Sequence, residues 1–450
     1  MADKTELLRL PKSDSNSLIH TVAGASLIAR GRREAASLMM RKPEPKLLAA
    51  VCLDGKWGFI DKSGEFAVES KYCGVLPFSC GLAAFTASPV PDARADFGRA
   101  ETNQINGKDS GLFGYLDLGG KIAISPRFRS VRNFREGLAG VEIDGKWGFI
   151  HTDGKIAVEP RFPVVYDFKD GIARVHLHGG YFNHECGFID DAGKFVIEPR
   201  FDTCRDFSEG LAAASINDND KVGYIDRNGT FVIQPQFYQG FDFRDGVAHV
   251  ISHGRPSLID KTGRILYQYE ECGAWTDDDG FTDGIVRVHD MRDPHHPRPR
   301  YVDMKLRPII EDPSLMAVHK FSEGLGEVYR RVRSDHSGMV DSLHGYVGMF
   351  GEVKIEPQFD SASLFRNGLA RVALRVPNDD LRGLHGYKYC FIDKGGQIAI
   401  ETRFEWASDF NNEIAQAREK GQKWGYINVA GEIIIPCQFD EVRDFQQITT

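Results

Sequence analysis

The chain has 450 residues, 42% apolar and 27% charged, the composition of a folded domain and not of a disordered or collagenous chain. A net charge of −8 and a pI near 6.0 argue against nucleic acid or an anionic membrane surface as the main partner. The cysteines (Cys52, Cys73, Cys80, Cys186, Cys204, Cys272, Cys390, Cys437) are scattered and include no Cys-x-x-Cys pair, so reduced buried thiols are expected over a disulfide framework.

Residues 1–45 read as an N-terminal extension. Residues 17–29 are mildly apolar, but Asp3 and Glu6 precede them, His20 interrupts them, and Arg30, Arg32 and Arg33 follow. That is a poor signal peptide and too short for a membrane span, which leaves the cytoplasm as the default location. Residues 27–40 could form a short basic amphipathic helix; disorder is the alternative.

Residues 46–450 form a tandem array. Gly55-Lys56-Trp57-Gly58-Phe59-Ile60-Asp61 recurs as Gly145-Lys146-Trp147-Gly148-Phe149-Ile150, and its glycine anchors ten units at Gly58, Gly114, Gly148, Gly187, Gly223, Ser257, Arg300, Gly345, Cys390 and Gly425. The units at Ser257 and Arg300 are eroded. In the most regular copy, Cys186-Gly187-Phe188-Ile189 leads through Asp190-Asp191-Ala192-Gly193 into Lys194-Phe195-Val196-Ile197-Glu198-Pro199-Arg200-Phe201. Two β-branched and aromatic runs around an Asp-x-x-Gly turn predict a hairpin. The aspartates (Asp61, Asp117, Asp190, Asp226, Asp260, Asp393) can accept bonds from the turn's own amides while the glycines supply positive φ, so the series reads as folding residues and not as catalytic carboxylates. A third strand follows Phe-x-x-Gly-[Leu/Ile/Val]-Ala, seen from Phe134 to Ala139, Phe168 to Ala173, Phe243 to Ala248 and Phe365 to Ala370.

Three short strands cannot bury a core alone, so stability must come from stacking on neighbours. The expected fold is all-β: about ten tandem three-stranded antiparallel β-meander repeats in a propeller-like ring or a strongly curved β-solenoid. Leu47-Leu48-Ala49-Ala50-Val51 matches the third strand, whereas the chain stops near Phe445, where that strand would begin in the tenth unit. In a ring, residues 47–51 would complete the last unit; in a solenoid the offset is only a phase. The long insertions, residues 86–110, 289–299, 330–344 and 375–388, all fall between the Leu-Ala-x-Val and Gly-Phe-Ile strands, which puts them on one edge of the array.

Lys-Trp-Gly-Phe-Ile-Asp-x-x-Gly-[Lys/Glu]-x-x-[Ile/Val]-x-Pro-x-Phe followed by Phe-x-x-Gly-Leu-Ala resembles the WG-repeat (KWG-repeat) family. That family is widespread in bacteria and its repeats are treated as binding or interaction modules, so the resemblance implies a non-enzymatic scaffold with no cofactor. This chain keeps the tryptophan only at Trp57, Trp147 and Trp424; Phe113, Cys186, Val222, Pro256, His344 and Tyr389 replace it elsewhere. Varied replacement favours packing over a row of ligand-stacking sites.

Three candidate sites remain. His176, His178, His184 and Cys186, and separately His289, Asp290, Asp293, His295 and His296, carry zinc-ligand chemistry, although neither has a familiar finger spacing. Asp277, Asp278 and Asp279 lack the alternation of a calcium loop, and no nucleophile elbow, P-loop or His-Glu-x-x-His helix is present in the sequence. Arg127, Arg161, Arg200, Gln236 and Gln358 follow the strand-ending proline, either bonding to the adjacent repeat's turn or forming a polar track for an extended ligand. The leading expectation is a scaffold whose loops bind a protein or peptide. The alternatives are a glycan or cell-envelope binder using exposed Trp57, Trp147 and Trp424, and a metal-dependent enzyme.

Overall fold

The computed structural model describes residues 46–88, 104–106, 111–178, 185–216, 221–268, 282–290, 298–303, 307–333, 340–376 and 386–448. The expectations for residues 1–45, His184, Asp277 to Asp279, Asp293, His295 and His296 fall outside them. All described elements are β-strands.

Each hairpin turn forms as its sequence dictates. In the turn after Ile189, Asp190 Oδ1 accepts from the amides of Ala192 (3.1 Å) and Lys194 (2.8 Å), and Gly193 sits at φ 76°. Asp61, Asp117, Asp226, Asp260 and Asp393 repeat the same bonds. The glycine before the aromatic has another cause. A Cβ on Gly148 would lie 2.3 Å from the Val158 carbonyl oxygen and 2.7 Å from Pro160 N, because the facing strand bulges onto it. Gly58, Gly114, Gly187, Gly223, Gly345 and Gly425 are pressed in the same way. Where Ser257 replaces the glycine, the shift beside it is gone and Ser257 pairs directly with Gln268, while the shift between Leu258 and Ile259 remains.

Most described units have four strands where the sequence predicts three. A strand of two or three residues, too short to show any alternation, pairs with the Leu-Ala-x-Val strand in units 1–6, 8 and 9. We letter the strands S, A, B and C; in unit 4 they are Val164–Val165, Ala173–His176, Cys186–Ile189 and Phe195–Phe201, hydrogen-bonded in that order. S and A are joined by a two-residue hairpin in which Asp170 (φ 54°) and Gly171 (φ 82°) are both left-handed, the type I′ geometry that matches strand twist. C lies at the end of the sheet, and its proline (Pro126, Pro160, Pro199, Pro235, Pro357) removes a donor from that edge.

Burial occurs between units. The described apolar core falls into ten clusters, each drawn from two neighbouring units. The two sequence motifs meet across these seams: the B-strand aromatic packs on the S–A phenylalanine of the next unit, as in Phe149–Phe168 (4.8 Å), Phe188–Phe207 (4.9 Å) and Tyr346–Phe365 (4.8 Å). The turn glycine of the next unit covers the C-strand β-branched residue, Gly193 on Val158 and Gly229 on Ile197.

The two ends of the array share a sheet. Leu47–Leu53, the A strand of unit 1, pairs Val51 with Val442 and Cys52 with Glu441, and Leu47 and Leu48 with Gln447 and Gln446. Gly64 packs on Ile435, and Leu47, Ala49, Val51 and Ile60 share a cluster with Ile414, Tyr426, Ile435 and Phe439 of unit 10.

Candidate functional site

Antiparallel pairing separates the unit into two ends. S–A and B–C turns lie at one end of the strands, and the A–B connections at the other. At the turn end neighbours are tied together: the Glu136 carboxylate accepts from the amides of Asp170 (2.7 Å) and Gly171 (2.8 Å) one unit on, and Lys261 and Lys394 reach back to Glu209 (3.0 Å) and Glu323 (3.1 Å). At the other end, three units close A–B with tight turns such as Asp144-Gly145, while the strand pairs Leu82–Thr86 with Phe113–Asp117, Ile285–Asp290 with Arg298–Asp303, Leu325–Arg333 with Val340–Gly348, and Ala370–Val376 with Gly386–Ile392 carry the insertions. The tips of those insertions lie outside the described residues.

The arginine series resolves to the bond between repeats. Arg127, Arg161 and Arg200 donate to the carbonyls of Gly154 (2.5 Å), Gly193 (2.5 Å) and Gly229 (2.6 Å), the turn glycines one unit on, and Arg403 does the same to Gly431. Each guanidinium also lies over the phenylalanine that follows it, at 4.9 Å for Arg161 and Phe162.

The tryptophans are not exposed platforms. Trp57 and Trp147 are each 7% exposed and belong to seam clusters, and Trp424 is half-buried. Each retained indole carries an arginine: Arg443 over Trp57 (5.1 Å), Arg132 over Trp147 (5.6 Å) and Arg418 over Trp424 (4.8 Å). The expectation of exposed Trp residues is therefore corrected; the side chain starts strand B, where the seam closes over it.

The first metal cluster does not assemble. Cys186 is disulfide-bonded to Cys204, with Cα atoms 6.3 Å apart across the seam between units 4 and 5. That pair departs from the expectation of reduced thiols, because stacking brings together partners whose spacing does not reveal it, while Cys52, Cys73, Cys80, Cys390 and Cys437 are free. His176 is buried beside Tyr166 (5.7 Å between rings), whereas His178 is exposed near Glu185 (3.8 Å). Among the described residues no group of three or more His, Cys, Asp or Glu is arranged to hold a metal.

Sequence reasoning missed a polar cluster in unit 8. The buried Glu327 carboxylate sits between His319 Nδ1 (2.5 Å) and His344 Nδ1 (2.7 Å), and His344 stacks on Tyr329 (5.7 Å). The bond to Glu327 raises the His319 imidazole above its ordinary value, against burial. Ser342 Oγ lies 3.4 Å from His344 Nε2, so a hydroxyl, an imidazole and a carboxylate stand in sequence. Two shallow recesses among the described residues lie around Arg127 and Gly154 and around Arg174 and Phe207. The signal available in the sequence was His344 in a tryptophan position with Glu327 on the strand before it.

Four-stranded units locked by paired motifs define an all-β repeat protein. The chain belongs to the WG containing repeat family, whose model matches residues 57–86, 113–147, 147–181, 187–219, 223–251, 345–374, 389–424 and 424–447, over half the chain. No curated protein matches it. Among solved structures it is similar to a eukaryotic initiation factor (9% identity, 89% of this chain and 98% of that one, TM-score 0.49). It is also similar to Hsv2 of Kluyveromyces lactis (7%, 61% and 99%, TM-score 0.28) and the acylaminoacyl peptidase of Pyrococcus horikoshii (12%, 82% and 52%, TM-score 0.27). At those scores the likenesses carry no argument about this chain. No helix among the described residues is long and apolar enough to cross a membrane.

Proposed function

We propose that this chain is a non-enzymatic binding scaffold that presents the A–B loops of a propeller-like ring to a protein or peptide partner. The observation that carries the reading is the asymmetry of the two ends: every long insertion leaves from the A–B connection, while the opposite end is tied unit to unit by Glu136, Lys261 and Lys394. Replacing residues 334–339 and 377–385 by Asp-Gly turns should abolish binding of a partner recovered from the native cell, with the melting temperature unchanged. Retained binding would sink the loop assignment.

Ring closure is supported by a count. An open array of ten units has nine seams, whereas ten clusters are present and the tenth joins unit 10 to unit 1. Deleting residues 1–52 should lower hydrogen-exchange protection in unit 10 as well as unit 2; loss confined to unit 2 would leave an open solenoid standing. The non-enzymatic part has its own test at Ser342. A fluorophosphonate probe should leave Ser342 unlabelled, and labelling that disappears in His344→Ala would overturn it.

A further inference from the structure

Across the seams an arginine reaches an aspartate of the next unit from one of two facing positions. From strand A, Arg174 bonds Asp206 (2.8 Å) and Arg371 bonds Asp409 (3.0 Å). From strand S, Arg205 bonds Asp242 (2.9 Å) and Arg132 lies 3.5 Å from Asp167. The facing residue adjusts: when S supplies the arginine, strand A carries Gly140 or Ala213, and a Cβ on Gly140 would stand 3.0 Å from Arg132 Cδ. The acceptor always precedes the S–A phenylalanine, as in Asp167-Phe168, Asp206-Phe207, Asp242-Phe243 and Asp409-Phe410.

Arg443 in unit 1 repeats the S arrangement in all but one respect. Its amide bonds Ala50 O (3.0 Å), a small facing residue, its guanidinium lies over Trp57 as Arg132 lies over Trp147, and Tyr426 Oη donates to its carbonyl (2.7 Å). Phe78 fills the seam position, 4.6 Å from Phe59, but the residue before it is Pro77. The Arg443 guanidinium therefore has no hydrogen-bond or ion-pair partner among the described residues. Burial pushes its pKa down, opposed by the charge of Glu441. Neighbouring Asp444 is engaged on the other seam, accepting from Gln416 Nε2 (2.6 Å).

We propose that Arg443, on its Trp57 platform, binds the carboxylate of a ligand in the place that Asp167 and Asp242 fill at the sister seams. A half-buried cation without a counter-ion has given up hydration that an incoming anion restores, and the guanidinium fork matches a carboxylate in geometry as well as charge. The site lies on a seam and does not depend on the loops, so its failure would leave the scaffold reading untouched.

Calorimetric titration of the full chain with glutarate, and with a short terminally blocked peptide containing one aspartate, provides the test. One carboxylate should bind per chain; tighter binding of glutarate points to a free small acid, and of the peptide to a partner's side chain. Arg443→Gln should weaken binding at least about tenfold, the loss expected for one charged hydrogen-bonded contact. Pro77→Asp should weaken it equally while raising the melting temperature, because the acid of the sister seams is then built in. Silence of both probes with the wild type, unchanged binding and melting in Pro77→Asp, or equal affinity for inorganic phosphate would overturn the assignment.

Discussion

Gly148→Ala tests whether close backbone approach, and not the tryptophan beside it, is what the Trp-Gly pair encodes. A methyl there would lie 2.3 Å from Val158 O, against about 3.4 Å for ordinary contact, so the facing strand must retreat by 3.4 − 2.3 = 1.1 Å. The obstructing atoms, Val158 O, Pro160 N and Pro160 Cα, are all backbone and cannot swing aside. Retreat would displace Val158 from beneath Gly193 and pull Arg161 from the Gly193 carbonyl. Overpacking of about 1–3 kcal/mol plus about 1 kcal/mol for the lost bond gives a cost of about 3 kcal/mol. Urea denaturation measures it, with hydrogen exchange locating the loss in units 3 and 4. Unit 9 supplies the control, since Cys390 occupies this position with the register shift retained and Thr402 stands where other units have proline. Gly148→Cys combined with Pro160→Thr should therefore cost less than Gly148→Cys alone. A Gly148→Ala protein within about 0.5 kcal/mol of wild type, the range of an ordinary surface substitution, would refute the reasoning.

Arg161→Gln should cost about 1 kcal/mol, the net worth of one hydrogen bond, and raise exchange only at the seam between units 3 and 4; a global loss would contradict the local clasp. Two histidines predict opposite pH dependences. Burial pushes His249 down to about 4 from 6.5, so the unfolded chain binds the extra proton between those values and stability should fall as pH drops through that window. His319 is raised by Glu327, so its contribution is full below 6.5 and is lost as pH rises through its raised value. Melting curves should lose the acid-side fall in His249→Leu and the alkaline-side fall in Glu327→Gln; variants that merely parallel the wild type would remove both assignments. Exchange should be fastest at the seam between units 6 and 7, and equal protection at all ten seams would refute that ranking.

What was legible in the sequence was local or periodic. Asp190 and Gly193 state their turn within four residues, and the bond from Arg161 to the next turn follows once repeats are stacked. Strand S was illegible because Val164–Val165 is too short for any pattern. The Cys186–Cys204 bond and the cluster of Glu327, His319 and His344 join residues whose proximity is created by the seam or by strand pairing, and for the cluster the sequence offers only His344 in a tryptophan position with Glu327 on the strand before it. Trp57 and Trp147 pack as their varied replacement suggested, and it is the exposed-platform alternative that fails. An aromatic at a strand start reads as a platform until the arginine that covers it, Arg443 or Arg132, is located on another strand.

The seam contacts are partly interchangeable, which explains how units can erode without breaking the array. Arginine can come from strand A or strand S, as Arg174 and Arg205 do, provided the facing residue yields volume. Unit 7 shows the limit. The sequence of unit 7 has Leu306 in place of the turn glycine, and Ile265, Leu266 and Tyr267 of unit 6 are 41%, 39% and 37% exposed. The described core of that seam is Leu258, Val286 and Val302 with half-buried Val247. On its other side unit 7 is held well: Tyr301 packs on Phe321 (4.8 Å), its hydroxyl lies 2.6 Å from the carbonyls of His319 and Glu327, and Arg287 bonds Val318 O. Unit 7 thus shares its aromatic pair and its arginine bond with unit 8, and a strain applied to the array should part it on the unit 6 side, where the described apolar core is smallest.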